Sequence, residues 1–220
     1  VLELIDRGAS TIEHHVTLEN YVSLEIFNKL SAEEKRLLQS LAIFREPIPL
    51  EALTNLDLDL NTLDNLVEQG LARRVDSDNY DVHDLIREFI FNGIDEQISI
   101  PLHNSAAEWY KKKLHTPQDI IEYLHHKISY ADSEDAAEEV ASRGSELIHT
   151  GQLELLGLIN RLIDSKGPAK TWGKLWHLRG EILALAGDFG GAEASFTVAM
   201  DNANKAKDIR LESVLLSSLA

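Results

Sequence analysis

The sequence predicts a mainly α-helical chain that a single small β-hairpin interrupts. Three observations carry this. Apolar residues recur at helical spacing along most of the 220 residues, and two short extended runs, Leu71–Val75 and Tyr80–His83, flank the turn-forming stretch Asp76-Ser77-Asp78-Asn79. In the last third, a pattern of glycines and bulky residues recurs at a fixed step.

Val1 to Lys29 reads as helical, with little punctuation beyond Gly8 and Ser10–Thr11. Ser31 and Glu34 then stand at capping-box spacing: the hydroxyl can accept from the Glu34 amide and the carboxylate from the Ser31 amide. Leu37, Leu38, Leu41 and Ile43–Phe44 form the apolar face of the helix that follows. Pro47 and Pro49 break it, Leu50 to Leu56 forms a second helix, and Leu60 to Gln69 forms a third that stops at Gly70. After the hairpin, Asp84 is expected to cap a helix from Leu85 to Ile94. Three helices, a hairpin and a further helix is the element order of a winged helix-turn-helix.

From Pro101 onward the pattern is all helix. Leu102 to Leu114 carries Ala106, Ala107, Trp109 and Tyr110; Pro117 opens a helix with Ile120, Ile121, Tyr123 and Leu124; Ser133 begins the next. Trp176, Gly180, Leu183, Gly187, Phe189, Ala192, Phe196 and Ala199 then fall at the spacings of a tetratricopeptide unit. The spacing has a packing logic. Gly180 and Ala192 let two antiparallel helices approach, Gly187 permits the turn, and Trp176, Phe189 and Phe196 fill the remaining space. One unit upstream, Gly144, Leu147, Gly151, Leu153, Ile163 and Pro168 take matching places, with Leu156 and Asn160 in place of the small and aromatic residues. The chain after Asp208 reads as the first helix of another unit. An α–α superhelix of this kind is expected to continue past Ala220, because a solenoid needs about three repeats and a polar cap.

Composition excludes several function classes. There is no cysteine, so thiol catalysis, disulfide scaffolds, iron–sulfur clusters and cysteine zinc sites are out. The formal net charge of −16 makes the chain a poor polyanion ligand, and no apolar run or leader predicts membrane insertion or export, so the cytoplasm is the expected location. The only methionine is Met200 and the chain begins at Val1, so a fragment of a longer protein is expected.

These residues resemble the C-terminal half of STAND-type signalling ATPases, the class that includes NB-ARC proteins such as plant disease-resistance and apoptosome ATPases. The resemblance rests on Leu30-Ser31-Ala32-Glu33-Glu34-Lys35-Arg36-Leu37-Leu38, Leu41-Ala42-Ile43-Phe44, Leu63-Asp64-Asn65-Leu66-Val67 and Tyr80-Asp81-Val82-His83-Asp84-Leu85-Ile86-Arg87-Glu88-Phe89, and runs from about Ser23 to the end. In the spacer it rests on His103, Ala106, Ala107, Tyr110 and Glu122-Tyr123-Leu124-His125. It divides the chain into the end of a preceding domain or linker (1–24), a winged helix (25–96), a helical spacer (97–135) and tetratricopeptide-like repeats (136–220). It further implies that His83, in the place of the family's Met-His-Asp histidine, reaches nucleotide phosphates in the closed ADP-bound state. Val82 stands where many relatives have Met. ATP or ADP with Mg is expected only in an upstream NTPase domain, since no G-x-x-x-x-G-K-[ST] occurs in this sequence. The expected role is non-catalytic: the repeats bind a protein partner or small ligand, and that binding changes whether His83 can clamp ADP on the intramolecular NTPase domain.

Two other readings compete. In a DNA-binding transcription regulator with a tetratricopeptide sensor, the third helix would read bases, yet it offers Asn61, Thr62, Asp64, Asn65, Glu68 and Gln69, with two acids and no base. Of Arg73 and Arg74 only one is expected to point outward. A metalloenzyme could use Glu122-x-x-His125 and Glu146-x-x-His149, but a di-iron site also needs two further glutamates from other helices, in a four-helix bundle rather than stacked hairpins. His14–His15 and His125–His126 are adjacent pairs that face apart on a helix. The nine histidines therefore read as packing or surface residues, with no metal and no catalytic residue assigned.

Overall fold

A computed structural model describes residues 27–54 and 60–218. Of the helix expected over Val1 to Lys29, residues 1–26 with the His14–His15 pair lie outside the described residues, as does the end of the second helix, and Phe27–Lys29 forms a single 3₁₀ turn. The chain divides into two compact units, Val1–Leu102 and His103–Ala220. Among the described residues no helix is long and apolar enough to cross a membrane.

In the first unit, α1 (Ala32–Ala42) begins with the expected capping box: Glu34 N donates to Ser31 Oγ at 3.2 Å, and Ser31 N to Glu34 Oε2 at 2.8 Å. Its apolar face, Leu37, Leu38 and Leu41, is buried with Ile43 and Phe44 just beyond it. After β1 (Ile48–Pro49) and α2 (Leu50–Thr54) comes α3 (Leu60–Glu68), which buries Leu63 and Leu66. Gly70 terminates it in the left-handed region (φ +71°), so that Leu71 N reaches back to Leu66 O at 2.9 Å. The hairpin strands are β2 (Ala72–Arg74) and β3 (Asn79–Val82), followed by α4 (Asp84–Gly93).

The structure corrects three readings in this unit. The sheet has three antiparallel strands in the order β1-β3-β2, with Ile48 opposite Tyr80. β1 escaped the sequence because two residues, one of them Pro49 and both following Pro47, have no alternation to read, and proline is tolerated at such an edge. The hairpin loop is also one residue tighter than expected. Val75 N donates to Asn79 O at 2.8 Å, and the Asp76 carboxylate accepts from the Asp78 and Asn79 amides at 2.9 Å each, so Arg73 rather than Arg74 faces Asp81. Finally, His83, not Asp84, occupies the N-cap of α4, and Asp84 is its first helical residue.

Helix α5 (Glu96–Lys111) begins six residues earlier than expected and holds Pro101 inside. Asp95 starts it: its carboxylate accepts from Gln97 N at 2.8 Å, and its carbonyl from Ile98 N and Ser99 N at 2.9 Å. Proline this close to a helix start forfeits little more than one backbone bond.

In the second unit, α6 (Pro117–Tyr130) is capped by Thr116 in a box with Asp119, with Pro117 at the first helical position. α7 (Ser133–His149) starts at an Asp132 cap. Then follow α8 (Leu155–Ile163), α9 (Ala169–Leu185), α10 (Phe189–Ala206) and α11 (Ile209–Ser218). Helix α11 stands where the start of a further unit was expected, and its Leu211 and Leu215 are buried against residues of α9 and α10.

Candidate functional site

His83 closes β3 and opens α4. Its backbone is extended (φ −59°, ψ 137°), its carbonyl accepts from Ile86 N and Arg87 N at 2.9 Å, and its side chain makes no capping bond. The imidazole is half-buried, and its Nδ1 is buried with no hydrogen-bond partner among the described residues. A buried polar atom left this way is uncommon, because desolvation costs about 1–3 kcal/mol that no bond returns.

Beside it lies an arrangement that sequence reasoning missed. The Asp81 carboxylate, 5% exposed, is held by Arg73 from β2 (Nη2 at 2.6 Å, Nε at 3.1 Å) and by Arg87 from α4. Arg87 also donates to Arg45 O at 3.2 Å. One buried carboxylate thus ties the middle strand to the edge strand and to the helix that His83 begins. The signal for it was the hairpin register, since Arg73 and Asp81 are direct cross-strand partners.

The helix that would read DNA presents Asn61, Asp64, Asn65 and Glu68 to solvent, two acids and two amides. Thr62, expected to be offered with them, is buried. Arg73 and Arg74 are both exposed, contrary to the expectation that one would turn inward, because β2 is the last strand of the sheet. Neither is idle: Arg73 pairs with Asp81, and Arg74 donates to the loop carbonyls of Asp76 and Ser77.

In the repeat region, α9 and α10 meet face to face across the turn at Ala186–Asp188. Gly187 takes φ +82°, and Gly151, its upstream counterpart, φ +81°. Gly180 permits close approach: a Cβ there would sit 2.5 Å from Cδ1 and 2.9 Å from Cζ of Phe196. Gly144 does the same for Leu178 on α9, whose Cδ2 would lie 3.0 Å away. Leu183, Ala192, Phe196 and Ala199 are buried in one cluster, and Trp176 packs against it.

Phe189 departs from expectation. It is 74% exposed, because it is the first residue of α10, behind the Asp188 cap that accepts from Gly191 N at 2.9 Å. Leu153, its upstream counterpart, is 45% exposed, so neither fills space between helices. Ile163 is also misplaced by the repeat spacing. In α8 the buried residues are Leu155, Leu158, Ile159 and Leu162, one position ahead of the matching places; α8 begins four residues after Gly151, through i to i−3 bonds from Leu155 N to Gln152 O and Leu156 N to Leu153 O, whereas α10 begins two residues after Gly187. Asn160 is exposed there and accepts from Arg179 Nε at 3.0 Å.

His177 on α9 contacts Phe196 (ring centroids 5.8 Å) and faces Glu181 at 3.6 Å. Burial lowers its pKa below the ordinary 6.5, and Glu181 opposes that shift. Its contribution to stability is therefore complete above pH 6.5 and is lost as pH falls from there through the lower folded-state value. Urea titrations between neutral and mildly acidic pH should show stability falling with acidity, with a shallower slope in His177→Gln.

Of the two Glu-x-x-His pairs, Glu146 and His149 are exposed. His125 of the other pair, by contrast, converges with His126 and with His103 of α5. His103 Nδ1 and His126 Nδ1 lie 2.9 Å apart, and Tyr110 stacks on His126 (5.6 Å, 22°). Burial, assisted by the Arg161 guanidinium, pushes the His103 pKa down to about 4, so the ring is neutral at pH 7. The expectation that His125 and His126 face apart does not hold: their ring centroids are 5.3 Å apart, and the His103 ring closes on both.

No protein-family model matches the chain, and no curated protein matches its sequence. Among solved structures, it is similar to a signal transduction ATPase with numerous domains (STAND), a protein with a tetratricopeptide repeat sensor from Pyrococcus horikoshii. The TM-score is 0.50 at 19% identity, over 96% of this chain and 36% of that one. The chain thus spans about a third (36%) of that protein's length, and at this identity the likeness is one of fold.

Proposed function

We propose that this chain is a non-catalytic regulatory and interaction segment of a STAND-type NTPase. In this reading a winged helix (25–96) carries His83 toward a nucleotide held by an NTPase domain outside these 220 residues. A helical spacer (97–135) connects it to tetratricopeptide-like repeats (136–220) that bind a protein or small ligand. The work is regulation in the cytoplasm, and ATP or ADP with Mg belongs to the other domain. Support comes from the fold-level likeness to a STAND protein with a tetratricopeptide repeat sensor and from the element order about His83. The observation that carries it is His83 itself: an imidazole at the start of a helix, with a buried nitrogen that has no partner among the described residues. An imidazole N–H there could donate to a phosphate oxygen.

The coupling is thermodynamic. A ligand on the repeats shifts the nucleotide state only as far as it prefers one arrangement over the other. In the protein that joins this chain to its NTPase domain, His83→Ala should release ADP about tenfold faster, the equivalent of about 1.4 kcal/mol. The same substitution in this chain alone should leave unfolding stability within about 1 kcal/mol. Unchanged ADP retention would defeat the sensor role, and a large stability loss would make His83 a packing residue. The DNA-reading alternative gains nothing from the acidic exposed face of α3, and a low-salt mobility shift on mixed duplex should be negative.

A further inference from the structure

Three histidines in the second unit form a closed triangle. Ring centroids are 6.0 Å apart for His103 and His125, 5.1 Å for His103 and His126, and 5.3 Å for His125 and His126. One ring nitrogen from each lies within 4.8 Å of the other two. We propose that His103, His125 and His126 bind a divalent first-row transition-metal ion, with Zn²⁺ the expected occupant, and that this ion pins α5 to α6. The proposal does not rest on the regulatory reading.

The geometry supports a cation in particular. Two Nδ1 atoms 2.9 Å apart direct their lone pairs at one shared point, which a single proton can fill as a hydrogen bond. A metal at about 2.0–2.1 Å from both would subtend an angle of about 90°, and slight separation of the rings would open that toward tetrahedral. His103 is 3% exposed and His126 0%, so two ligands are preset on helices with little side-chain freedom left to lose. His125 is only half-buried, leaving one vertex open to an entering ion and a fourth position for water. An all-imidazole set suits Zn²⁺, Cu²⁺ and Ni²⁺ and disfavours Mg²⁺ and Ca²⁺. Glu122, buried on the same helix one turn before His126, accepts from Gln118 Nε2 at 3.1 Å.

One group opposes the ion. Arg161 Nη1 lies 3.5 Å from His125 Nδ1, and its charge repels a dication. Its other terminal nitrogen donates to Ser129 Oγ at 3.0 Å, an anchor it can keep while releasing His125. His125 is therefore the vertex that moves: it leaves Arg161 and completes the site as the ion enters.

The test uses the whole chain, stripped with a chelator and titrated with ZnCl₂ by calorimetry, and with CoCl₂ for visible absorption. One Zn²⁺ per chain, a raised Tm and histidine-type Co²⁺ bands are expected. Since His126 is fully buried, His125→Gln separates lost binding from lost folding. It should keep the far-UV spectrum of the wild type and weaken Zn²⁺ by more than about a hundredfold, beyond the usual effect of an outer-shell change. His14→Gln/His15→Gln should bind as the wild type does. The proposal fails if no saturable binding occurs, if His125→Gln binds normally, or if only the His14/His15 variant loses the metal. It also fails if inorganic phosphate raises Tm while Zn²⁺ does not, which would mark an anion site.

Discussion

Adding one methyl group at Gly180 is expected to destabilise the second unit by about 2 kcal/mol, although alanine is the better helix former by about 1 kcal/mol. The new Cβ would sit 2.5 Å from Cδ1 and 2.9 Å from Cζ of Phe196, well inside the contact distance of two carbons. Phe196 has nowhere to retreat: it is buried against Leu183, Ala192 and Ala199 and touches His177. Either the ring leaves its preferred rotamer or α9 and α10 separate along their shared face. Urea unfolding of Gly180→Ala followed by far-UV circular dichroism measures the loss. Gly157→Ala is the control, because a Cβ there meets nothing within 4 Å, and it should hold or gain stability. A double mutant with Phe196→Leu should recover part of the loss, the non-additivity that a direct clash requires. A neutral Gly180→Ala would mean that the helices do not pack this closely.

Asp81→Ala is expected to cost about 3 kcal/mol in the first unit, at the lower end for breaking a buried ion pair. Most of that comes from Arg87, whose side chain is 19% exposed and would keep its charge without the carboxylate that β3 offers. Arg73 contributes less because its side chain is 58% exposed, where ion pairs are worth about 0.2–1 kcal/mol. Arg87→Met in the Asp81→Leu background should restore much of the stability, since two apolar chains of similar size remove the buried charge rather than orphan it. Equilibrium denaturation of the wild type, Asp81→Leu, Arg87→Met and the double variant closes the cycle. If Asp81→Ala alone were silent, the carboxylate would not be what joins strand to helix.

How far the sequence could be read depends on the range of each interaction. The Ser31–Glu34 box, the Gly70 stop, and the left-handed turns at Gly151 and Gly187 stand where their residues predicted, because each is decided within about four residues of chain. The errors fall where distant partners decide. β1 exists only because Tyr80 lies opposite Ile48. The hairpin register is a local exception: it follows the Asp76 carboxylate, which accepts from amides two and three residues on, rather than the length of the polar run. Phe189 matched the repeat spacing yet is exposed, because spacing gives a residue's place on a helix and not whether a neighbour covers that place.

The same division runs through the candidate sites. By itself the sequence determined the order of elements, the absence of thiol chemistry, the acidity of α3 and the placing of His83 at a strand-to-helix junction. Those properties are fixed by residue identity and local backbone preference. Tertiary structure alone decided that Asp81 is shared by Arg73 and Arg87, and that His103 meets His125 and His126. Separations along the chain of 8 residues for Arg73–Asp81 and 23 for His103–His126 carry no periodic signal of side-chain convergence. Only the packing of one element on another brings such groups within bonding distance.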